Sequence, residues 1–538
     1  MFFILFVLLA FSSTVQANNL QLTRFDAVAV DPATHTMTLQ MDISQSNSWR
    51  NNTSHDAVWI FLKYSTDAGQ TWRHATWAGK GTNPAGFAVP AGFEILVPDD
   101  MKGFFFRRSL SGTGNFSAEA VQVRWNYGQD GLSDATAAAA NTLTRVYGVE
   151  MVYIPEGGFF AGDGESSSDF RLQQGSADTT PWYIANENAI TTTASASGGA
   201  YYVSSGAVGE NASGDIFLLS NSFPKGHRAF YLMKYELTEG QWAGFFNTLP
   251  VAARLRRDIT SSVDGGKGSD SIVERNTLAW DSTVPVSRAV SLRPDRAMTY
   301  ISWPDAAAFA DWAALRPMSE LEYEKAARGV DISSVADEFA WGSATYKAAE
   351  AGEIYPPNQD ESGQEAIFDG TANLNRNSLG WSSGDGRLGG PAAGQKGALR
   401  VGIFAENSTN RVTSGAGFYG NMELSGNVAE PAVTLGRAEG RQFLGTHGDG
   451  ELTMVSGFEG NASNVDWPGI DAQDARRGVT STKGIGYRGG DFLSASVRHF
   501  QVSSRIFAAK DPDTQGYLRR FDSGYGVVCG ARFARTAW

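Results

Sequence analysis

The side chains that most often carry redox, metal and covalent chemistry are scarce in this sequence. Cys529 is the only cysteine, so the chain cannot form an intramolecular disulfide, a cysteine-rich zinc site or an iron–sulfur cluster. The six histidines are scattered, and no two of them form a His-x-x-x-His or HExxH pair. Local spacing therefore disfavours a zinc or iron site built from histidine, although distant residues can still converge.

A second chemical signal is the mixture of aromatic and basic side chains in residues 491–522. Its members are Phe492, Arg498, His499, Phe500, Arg505, Phe507, Tyr517, Arg519 and Arg520. Aromatic and arginine side chains are the usual anchors of protein interfaces. The adjacent pair Arg519 and Arg520 is unexpected on an acidic chain and points to contact with an anionic group. The alternative interpretation is that the apolar side chains belong to the core and that Arg505 is a buried structural partner.

The overall charge disfavours nucleic acid as a partner. The 538 residues carry 44 Lys and Arg against 57 Asp and Glu, which leaves a formal net charge of −13. Because phosphate binding requires clustered Lys and Arg, and no long basic run is present, we expect no nucleic-acid binding. The 61 glycines and 14 tryptophans predict a loop-rich fold with aromatic anchors, since glycine is unfavourable inside helices.

The first 17 residues have the pattern of an export signal. The run MFFILFVLLAFSSTVQA is apolar and ends in small and polar residues, with Val15 and Ala17 at the small-residue positions of a signal-peptidase site. Its apolar core of about ten to twelve residues is too short to span a bilayer. No basic residue precedes this core, which departs from the usual pattern. We expect residues 1–17 to be a cleaved signal peptide, no membrane span after cleavage, and a periplasmic, cell-surface or secreted protein.

The region after the signal reads as β structure. Residues 36–43 alternate apolar and polar side chains, as a half-buried strand does, and residues 58–64 form a continuous apolar run typical of a strand buried on both faces. The segment STDAGQTW at residues 65–72 matches the Asp-box pattern SxDxGxxW. In this pattern Asp67 helps to close a β-turn and Trp72 packs beneath it, which predicts a hairpin.

The second part of the chain contains three segments with the start signals of helices. Each begins with a hydroxyl residue in the N-cap position: Thr238, Ser302 and Ser319. Gln241 can complete a capping box in the first helix. Pro304 lies in the first turn of the second helix, where its missing N–H is not needed, and Gly329 is expected to end the third helix.

The rest of the second part shows almost no helical periodicity. Residues 163–222 are rich in Ser, Gly, Thr and Ala and read as a long surface insertion. After residue 329, Gly, Asn, Asp and Ser interrupt short apolar pieces for roughly 200 residues. Irregular stretches of this length need another source of order, commonly bound ions.

A series of motifs resembles, in order, the sulfatase-modifying-factor family of formylglycine-generating enzymes. The motifs are MVYIPEGGFFAG at 151–162, YLMKYELTEGQWAGFFN at 231–247, ISWPDAAAFA at 301–310, RPMSELEYEKAARG at 316–329, WG at 341–342, SGNVAE at 425–430, RGG at 488–490 and GARFAR at 530–535. The resemblance implies an irregular, C-type-lectin-like α+β domain over residues 147–538. An all-β sandwich over residues 18–146 is expected to precede it and lies outside the resemblance.

The resemblance also implies that the catalytic centre of the family is missing. Active members hold copper with two cysteines near the C-terminus, because soft thiolates bind Cu(I). Relative to Arg505, those positions fall at Val497 and Val502, which can neither ligate a metal nor act as nucleophiles. Cys529 lies outside both positions and reads as a small buried hydrophobe. We therefore expect no copper, no catalytic residues and no formylglycine generation.

The positions of two structural Ca²⁺ sites are better preserved. By resemblance, the first site comprises Asn373, the Leu374 carbonyl, Asp385 and the Arg387 carbonyl, and the second comprises Glu423, the Gly426 and Val428 carbonyls and Glu430. Hard cations prefer such oxygen ligands. The alternative interpretation is that these are turn-forming polar residues at a solvated surface.

The preferred prediction is an exported binding or accessory protein with a calcium-stabilised domain and an unknown surface protein or glycan as its partner. By resemblance, residues 491–522 lie where active members form the substrate cleft. The candidate ligand-binding residues are Arg498, His499, Phe500, Arg519 and Arg520. One alternative is a metal-dependent oxidoreductase of the same superfamily with a non-cysteine site, for which His499 and Asp491 are the first candidates. Another is a structural component of an extracellular assembly.

Overall fold

The structure is a computed structural model that describes residues 19–164, 169–262, 266–284, 286–349, 354–355, 365–367, 372–376, 397–405, 410–494, 496–509 and 528–537. The predicted signal peptide, residues 1–17, lies outside the described residues. The described residues form a mixed, sheet-rich fold with few helices, and none of these helices is both long and apolar enough to cross a membrane.

The strands are long near the N-terminus and short elsewhere. In chain order, those of the described residues are β1 (Gln21–Asp31), β2 (Thr36–Arg50), β3 (Asp56–Ser65), β4 (Arg73–His74), β5 (Gly81–Thr82), β6 (Phe93–Val97), β7 (Phe104–Arg108), β8 (Gly112–Trp125), β9 (Leu143–Ile154), β10 (Phe159–Ala161), β11 (Gln173–Gln174), β12 (Trp182–Ile184), β13 (Ile190–Thr191), β14 (Ala200–Tyr201), β15 (Leu218–Leu219), β16 (Phe230–Met233), β17 (Arg316–Pro317), β18 (Ile354–Tyr355), β19 (Ala366–Ile367), β20 (Glu430–Val433), β21 (Ile485–Arg488) and β22 (Phe533–Thr536). The α-helices of the same residues are α1 (Asp134–Ala137), α2 (Glu239–Phe246), α3 (Val251–Arg256), α4 (Trp303–Trp312), α5 (Glu320–Arg328), α6 (Arg411–Ser414) and α7 (Ala438–Arg441).

The helix starts expected from the sequence are confirmed at α2, α4 and α5, each of which begins with a complete capping box. In α5, Ser319 Oγ accepts a hydrogen bond from Glu322 N at 3.1 Å, and Glu322 Oε2 accepts one from Ser319 N at 3.0 Å. Gly329 ends α5 with a φ of 104°, a conformation that favours glycine. Local sequence therefore determines where α5 begins and ends.

The largest sheet joins strands from both halves of the chain. Within the described residues its order is β17-β22-β16-β9-β3-β7-β6-β5, with β4 paired to β3. β9 lies antiparallel to β3, from Leu143 opposite Ser65 to Val152 opposite Asp56, and also antiparallel to β16. Because β9 begins at Leu143 and ends at Ile154, it crosses the boundary expected between residues 146 and 147.

A smaller antiparallel sheet, β1-β2-β8, shares an apolar cluster with the larger one. The side chains of β2 alternate between buried and partly exposed, which confirms the prediction from its alternating sequence. From β3, Val58, Ile60 and Leu62 enter this cluster, whereas Trp59 and Phe61 enter a second cluster with α2 and α4. β3 is therefore buried on both faces, as its continuous apolar run predicted.

The Asp-box hairpin is confirmed as the connection between β3 and β4. Asp67 Oδ1 accepts a hydrogen bond from Thr71 N at 2.9 Å, and Gly69 N donates to Ser65 Oγ at 2.8 Å. Trp72 Nε1 donates to the Gly69 carbonyl at 3.1 Å. The turn is thus closed by its own polar side chains, which is a structural role.

The Ser/Gly-rich segment, residues 163–222, buries more of its apolar side chains than its composition indicated. Short antiparallel pairs form between β10 and β12, β11 and β14, and β13 and β15. Its buried side chains join the same cluster as α2 and α4: Leu172, Trp182, Ile184, Tyr202, Phe217 and Leu219. These side chains are isolated among Ser, Gly and Thr, so neither strand nor helix periodicity marks them in the sequence.

Candidate functional site

The carboxylates of α5 hold the segment that carries the predicted ligand-binding residues. Arg488 Nη2 lies 2.7 Å from Glu324 Oε1, and its Nη1 lies 3.2 Å from Glu320 Oε2. Arg505 Nε lies 2.8 Å from Glu320 Oε2. All four side chains are buried, so each charge depends on its partner for compensation. Burial opposes the ionisation of Glu320, yet the Arg505 and Arg488 guanidinium groups hold its pKa below the ordinary value.

Arg505 also links this segment to the Ser/Gly-rich region. Its Nη1 donates to the Phe170 carbonyl at 3.2 Å and to the Val203 carbonyl at 2.9 Å. The guanidinium lies over the Tyr202 ring, 4.8 Å from the ring centroid. The structure thus agrees with the interpretation of Arg505 as a buried structural partner.

The predicted ligand-binding residues divide into three groups. Arg498 is half exposed and lies 3.6 Å from Asp169, and His499 is partly exposed beside it. Phe500, in contrast, is fully buried in an apolar cluster, and this corrects its assignment to a binding surface because a core ring cannot contact a ligand there. Arg519 and Arg520 lie outside the described residues.

A short hydrogen-bond chain joins the two residues considered for a non-cysteine metal site. Asp491 Oδ2 accepts from Ser494 Oγ at 2.9 Å, and Ser494 Oγ lies 3.2 Å from His499 Nδ1. Asp491 Oδ1 accepts from Leu493 N at 2.8 Å, and burial raises the pKa of Asp491 to about 6. The sequence did not single out Ser494, since one serine in a loop carries no pattern.

Val497 and Val502, which the resemblance places at the positions of the family's cysteines, lie in a 3-10 turn and in an apolar cluster respectively. Val502 is buried in an apolar cluster, and its backbone N–H donates to the Glu338 carbonyl at 2.9 Å. Val497 begins a 3-10 turn, Val497–Phe500. Cys529 is buried next to Ala429, and burial raises the pKa of its thiol far above the usual range. A thiol in this setting stays protonated and is a poor nucleophile.

The second predicted calcium site contains two buried carboxylates. Glu423 Oε1 accepts from Gly402 N at 2.8 Å, and Glu430 Oε1 accepts from Arg532 Nε at 2.7 Å. The other oxygen of each carboxylate is buried and has no hydrogen-bond partner among the described residues. An unpartnered buried carboxylate oxygen is costly and is a suitable ligand for a hard cation.

A third carboxylate, Glu236, faces the same region and was not singled out from the sequence. Its Oε1 accepts from Val428 N at 3.0 Å, and its Oε2 accepts from Asn427 Nδ2 at 2.5 Å. Burial, together with the charges of Glu423 and Glu430, raises the pKa of Glu236 well above its ordinary value. The only sequence signal was one glutamate within the apolar stretch YLMKYEL.

In the first predicted calcium site, the two residues that the structure describes, Asn373 and Leu374, already use their oxygens in hydrogen bonds within the protein. Asn373 Oδ1 accepts from Lys347 N at 2.9 Å, and its Nδ2 donates to the Val412 carbonyl at 2.9 Å. The Leu374 carbonyl accepts from Ala349 N at 2.8 Å. These contacts fit the turn-forming interpretation, while Asp385 and Arg387 lie outside the described residues.

The metal-ligating side chains of the described residues do not converge in threes. Among these residues, no group of three or more His, Cys, Asp or Glu side chains is arranged to hold a metal ion. Any cation near Glu423 and Glu430 would therefore depend on backbone carbonyls as well, as the resemblance implies for Gly426 and Val428.

Comparison with known proteins gives one family match. Residues 185–386 match the family described as the sulfatase-modifying factor enzyme 1-like domain. A comparison with curated proteins finds no significant match. The motifs predicted this resemblance, and the sequence holds only one cysteine. Residues 185–386 are therefore similar to the sulfatase-modifying factor enzyme 1-like domain, and the single Cys529 leaves the chain without a second cysteine to form a pair.

Proposed function

We propose that this chain is an exported binding or accessory protein whose sulfatase-modifying-factor-like domain is stabilised by Ca²⁺ and does not generate formylglycine. In this proposal the domain has the C-type-lectin-like fold and follows an N-terminal β-sandwich. The observation that carries the proposal is the pair Val497 and Val502 at the positions of the family's copper-binding cysteines. Neither side chain can ligate copper, and one cysteine elsewhere cannot replace two.

The surroundings of Cys529 support the loss of this chemistry. The thiol is buried and its raised pKa keeps it protonated, whereas copper binding and nucleophilic attack both require the thiolate. The single cysteine also leaves no second thiol for a metal–dithiolate centre.

The test is an aldehyde assay on a cysteine-containing peptide derived from a sulfatase, with oxygen and added Cu(I). We expect no aldehyde from this protein, under conditions in which an active family member converts the peptide. Aldehyde formation that requires the purified protein would contradict the proposal, because it would mean that another group performs the oxidation.

The binding part of the proposal rests on the exposed side chains of the 491–509 segment. Arg498 and His499 lie at its surface, while Arg488 and Arg505 hold the segment on α5. A cationic side chain presented by a rigid, buried anchor can contact a partner with little loss of conformational entropy. Arg498→Ala is expected to weaken binding to the partner, a surface protein or glycan, by roughly five- to tenfold, as for an interface arginine.

A metal-dependent oxidoreductase is the second candidate, and the hydrogen-bond chain from Asp491 through Ser494 to His499 favours it. The chain gathers a carboxylate and an imidazole beside the former cysteine positions. However, both Asp491 oxygens already accept hydrogen bonds from Leu493 or Ser494. Stoichiometric iron or copper in purified protein, lost in His499→Ala, would favour the oxidoreductase over the binding protein. Ca²⁺ alone would favour the binding protein.

A further inference from the structure

A cavity of about 500 Å³ lies in the Ser/Gly-rich region and begins at Phe170, directly after Asp169, which lies 3.6 Å from Arg498. Its walls come from residues 170–179 and from residues 203–213. The volume is within the range of small-ligand sites, about 300–1,000 Å³. Neither the family resemblance nor the residues discussed above assign a role to this cavity.

The two walls are held by buried groups. Arg505 Nη1 binds the Phe170 carbonyl at 3.2 Å on one wall and the Val203 carbonyl at 2.9 Å on the other. Trp182 Nε1 donates to the Gln173 carbonyl at 2.7 Å. Because Arg505 is itself fixed by Glu320, the spacing of the walls is set by α5, and a ligand would meet a preorganised site.

Phe170 lines the cavity with a strained backbone. Its φ is 59°, a left-handed value that a bulky aromatic residue rarely adopts, and its ring is only partly buried. Strain of this kind costs roughly 1–3 kcal/mol and persists where the surrounding structure enforces it, often at ligand sites. Here the Arg505 contact to the Phe170 carbonyl holds the backbone in place, and Phe170 is the aromatic residue of the cavity lining.

The polar side chains of the cavity suit a ligand rich in hydroxyl groups. The hydroxyls of Ser176 and Thr179 form no hydrogen bond to another described residue, and both residues are exposed. Gln173 Nε2 donates to the Gly175 carbonyl at 2.9 Å, which fixes the amide so that its oxygen remains an acceptor. These groups offer both donors and acceptors, as a sugar hydroxyl requires.

The charges of the lining argue against an anionic ligand. Arg171 is buried and its Nε lies 3.4 Å from Asp163 Oδ1, so its charge is compensated within the protein. Asp178 adds one carboxylate, whose Oδ1 accepts from Thr180 N at 2.7 Å. Asp163 compensates Arg171, so Asp178 leaves the lining with one net negative charge, which disfavours an anionic ligand.

We propose that this cavity binds a neutral saccharide of one or two rings. The Phe170 ring packs against the apolar C–H face of the sugar, and Ser176, Thr179 and Gln173 form hydrogen bonds to its hydroxyls. This inference rests on the proposed binding function and gives it a site and a ligand class, a glycan. Binding at this cavity does not use the cation expected near Glu423.

The experiment titrates the full chain with methyl glycosides of glucose, galactose, mannose and N-acetylglucosamine, and with their disaccharides, by saturation-transfer NMR and calorimetry. At ligand concentrations up to about 10 mM, above the millimolar affinity of a weak small-ligand site, we expect at least one of these sugars to bind. Phe170→Gly permits the left-handed backbone but removes the ring, and it should lower the affinity at least tenfold. The double variant Ser176→Ala, Thr179→Ala should do the same.

The matched control is Phe418→Ala, which removes a partly exposed ring that does not line the cavity and should leave sugar binding unchanged. Thermal melts confirm that each variant is folded, and sugar binding should persist in chelator. If none of the sugars binds, or if the cavity variants bind as the wild type does, the saccharide proposal is wrong. Tighter binding of methyl galacturonate than of methyl galactoside would also overturn it.

These results are separable from a failure of the proposed function. If Arg498→Ala loses partner binding while the cavity variants have no effect, the saccharide site in the cavity is rejected. The proposal of a binding protein is then retained. Aldehyde formation in the peptide assay would instead contradict the non-catalytic function, whatever the sugar titrations give.

Discussion

Glu150 shows how strongly single buried carboxyl groups are perturbed in this molecule. Its Oε1 accepts from Gln45 Nε2 at 2.8 Å, while its Oε2 is buried without a hydrogen-bond partner among the described residues. Burial raises the pKa of Glu150 to about 8, against the opposing charge of the nearby Lys234. At neutral pH the folded protein therefore holds this carboxyl in its protonated form.

The perturbed pKa of Glu150 predicts a pH dependence of stability. Between about pH 4.5, the ordinary value, and pH 8, the folded state binds this proton and the unfolded state does not. Stability from this group is therefore present at low pH and is lost as the pH rises through that window, by an amount of the order of a few kcal/mol. Glu150→Gln should flatten the curve of unfolding free energy against pH, measured by urea denaturation at pH 5, 7 and 8.5. Parallel curves for the two proteins would contradict the assignment.

Gly450 provides a second residue-scale prediction. Its φ is 86°, and an added methyl group would overlap the buried imidazole of His74. Gly450→Ala should therefore destabilise the protein by more than the roughly 1–2 kcal/mol of left-handed strain alone. Gly206→Ala is the matched control, since its φ is 77° and no atom lies within 4 Å of the added methyl. Equal changes in urea midpoint for the two variants would show that the His74 contact is unimportant.

At the residue scale, the sequence identifies single residue types better than it predicts which of them come together in the fold. Val497 and Val502 can be matched to the cysteine positions from the motifs alone, and this assignment stays a prediction from the resemblance. Glu236 could not be assigned to the site from the sequence. Its proximity to Glu423 and Glu430 arises from contacts between segments almost 200 residues apart in the chain. Phe500 was assigned to a surface for the same reason, since its burial depends on the packing of distant elements.

At the scale of elements, α5 is the anchor of the candidate site. Glu320 contacts both Arg488 and Arg505, and Arg505 in turn holds the two walls of the cavity. Glu320→Gln keeps the shape of the side chain but leaves two buried guanidinium groups without this charge. We expect a loss of about 3–5 kcal/mol in unfolding free energy, as for other broken buried ion pairs.

The control for this element is Glu439→Gln in α7. Glu439 lies 3.8 Å from Arg437 and its side chain is 43% exposed, so the loss should be within about 1 kcal/mol. Both variants are compared with the wild type by denaturant unfolding. The slope of unfolding free energy against denaturant concentration should be the same for all three proteins. A small effect of Glu320→Gln would mean that the arginines find other partners and that α5 does not set the site.

The elements themselves were predictable where the signal is local. The starts of α2, α4 and α5 follow from capping residues three positions apart, and the alternation in β2 follows from burial of one face. The short strand pairs of residues 169–222 follow from long-range anchors instead. Trp182, for example, donates to the carbonyls of Gln173 and Tyr201, contacts that no local pattern encodes.

At the scale of the whole molecule, the sheet is more continuous than the sequence indicated. The texture of the chain changes near residue 146, and that change predicted a domain boundary. β9 nevertheless pairs with β3 on one side and β16 on the other, so one sheet contains strands from both predicted regions. Lys63 of β3 adds a further link, since its Nζ donates to the Gly450 carbonyl at 2.7 Å. Unfolding of the two regions should therefore be cooperative.

Cation binding is the prediction that involves the whole molecule, because the buried carboxylates Glu236, Glu423 and Glu430 come from the segment between β16 and α2, the loop before β20, and β20 itself. Burial raises the pKa of Glu423 to about 7, so in the absence of a cation this site is partly protonated at neutral pH. A cation competes with that proton. Chelation should therefore lower the melting temperature more at pH 8 than at pH 6. A cation present at 100 times its Kd stabilises the folded state by about 2.7 kcal/mol.

Glu423→Gln keeps an acceptor for Gly402 N but removes the charge, and it should abolish the effect of chelator. Superimposable melting curves of the wild type with and without chelator at pH 8 would mean that protons and Arg532, rather than a metal ion, compensate these carboxylates.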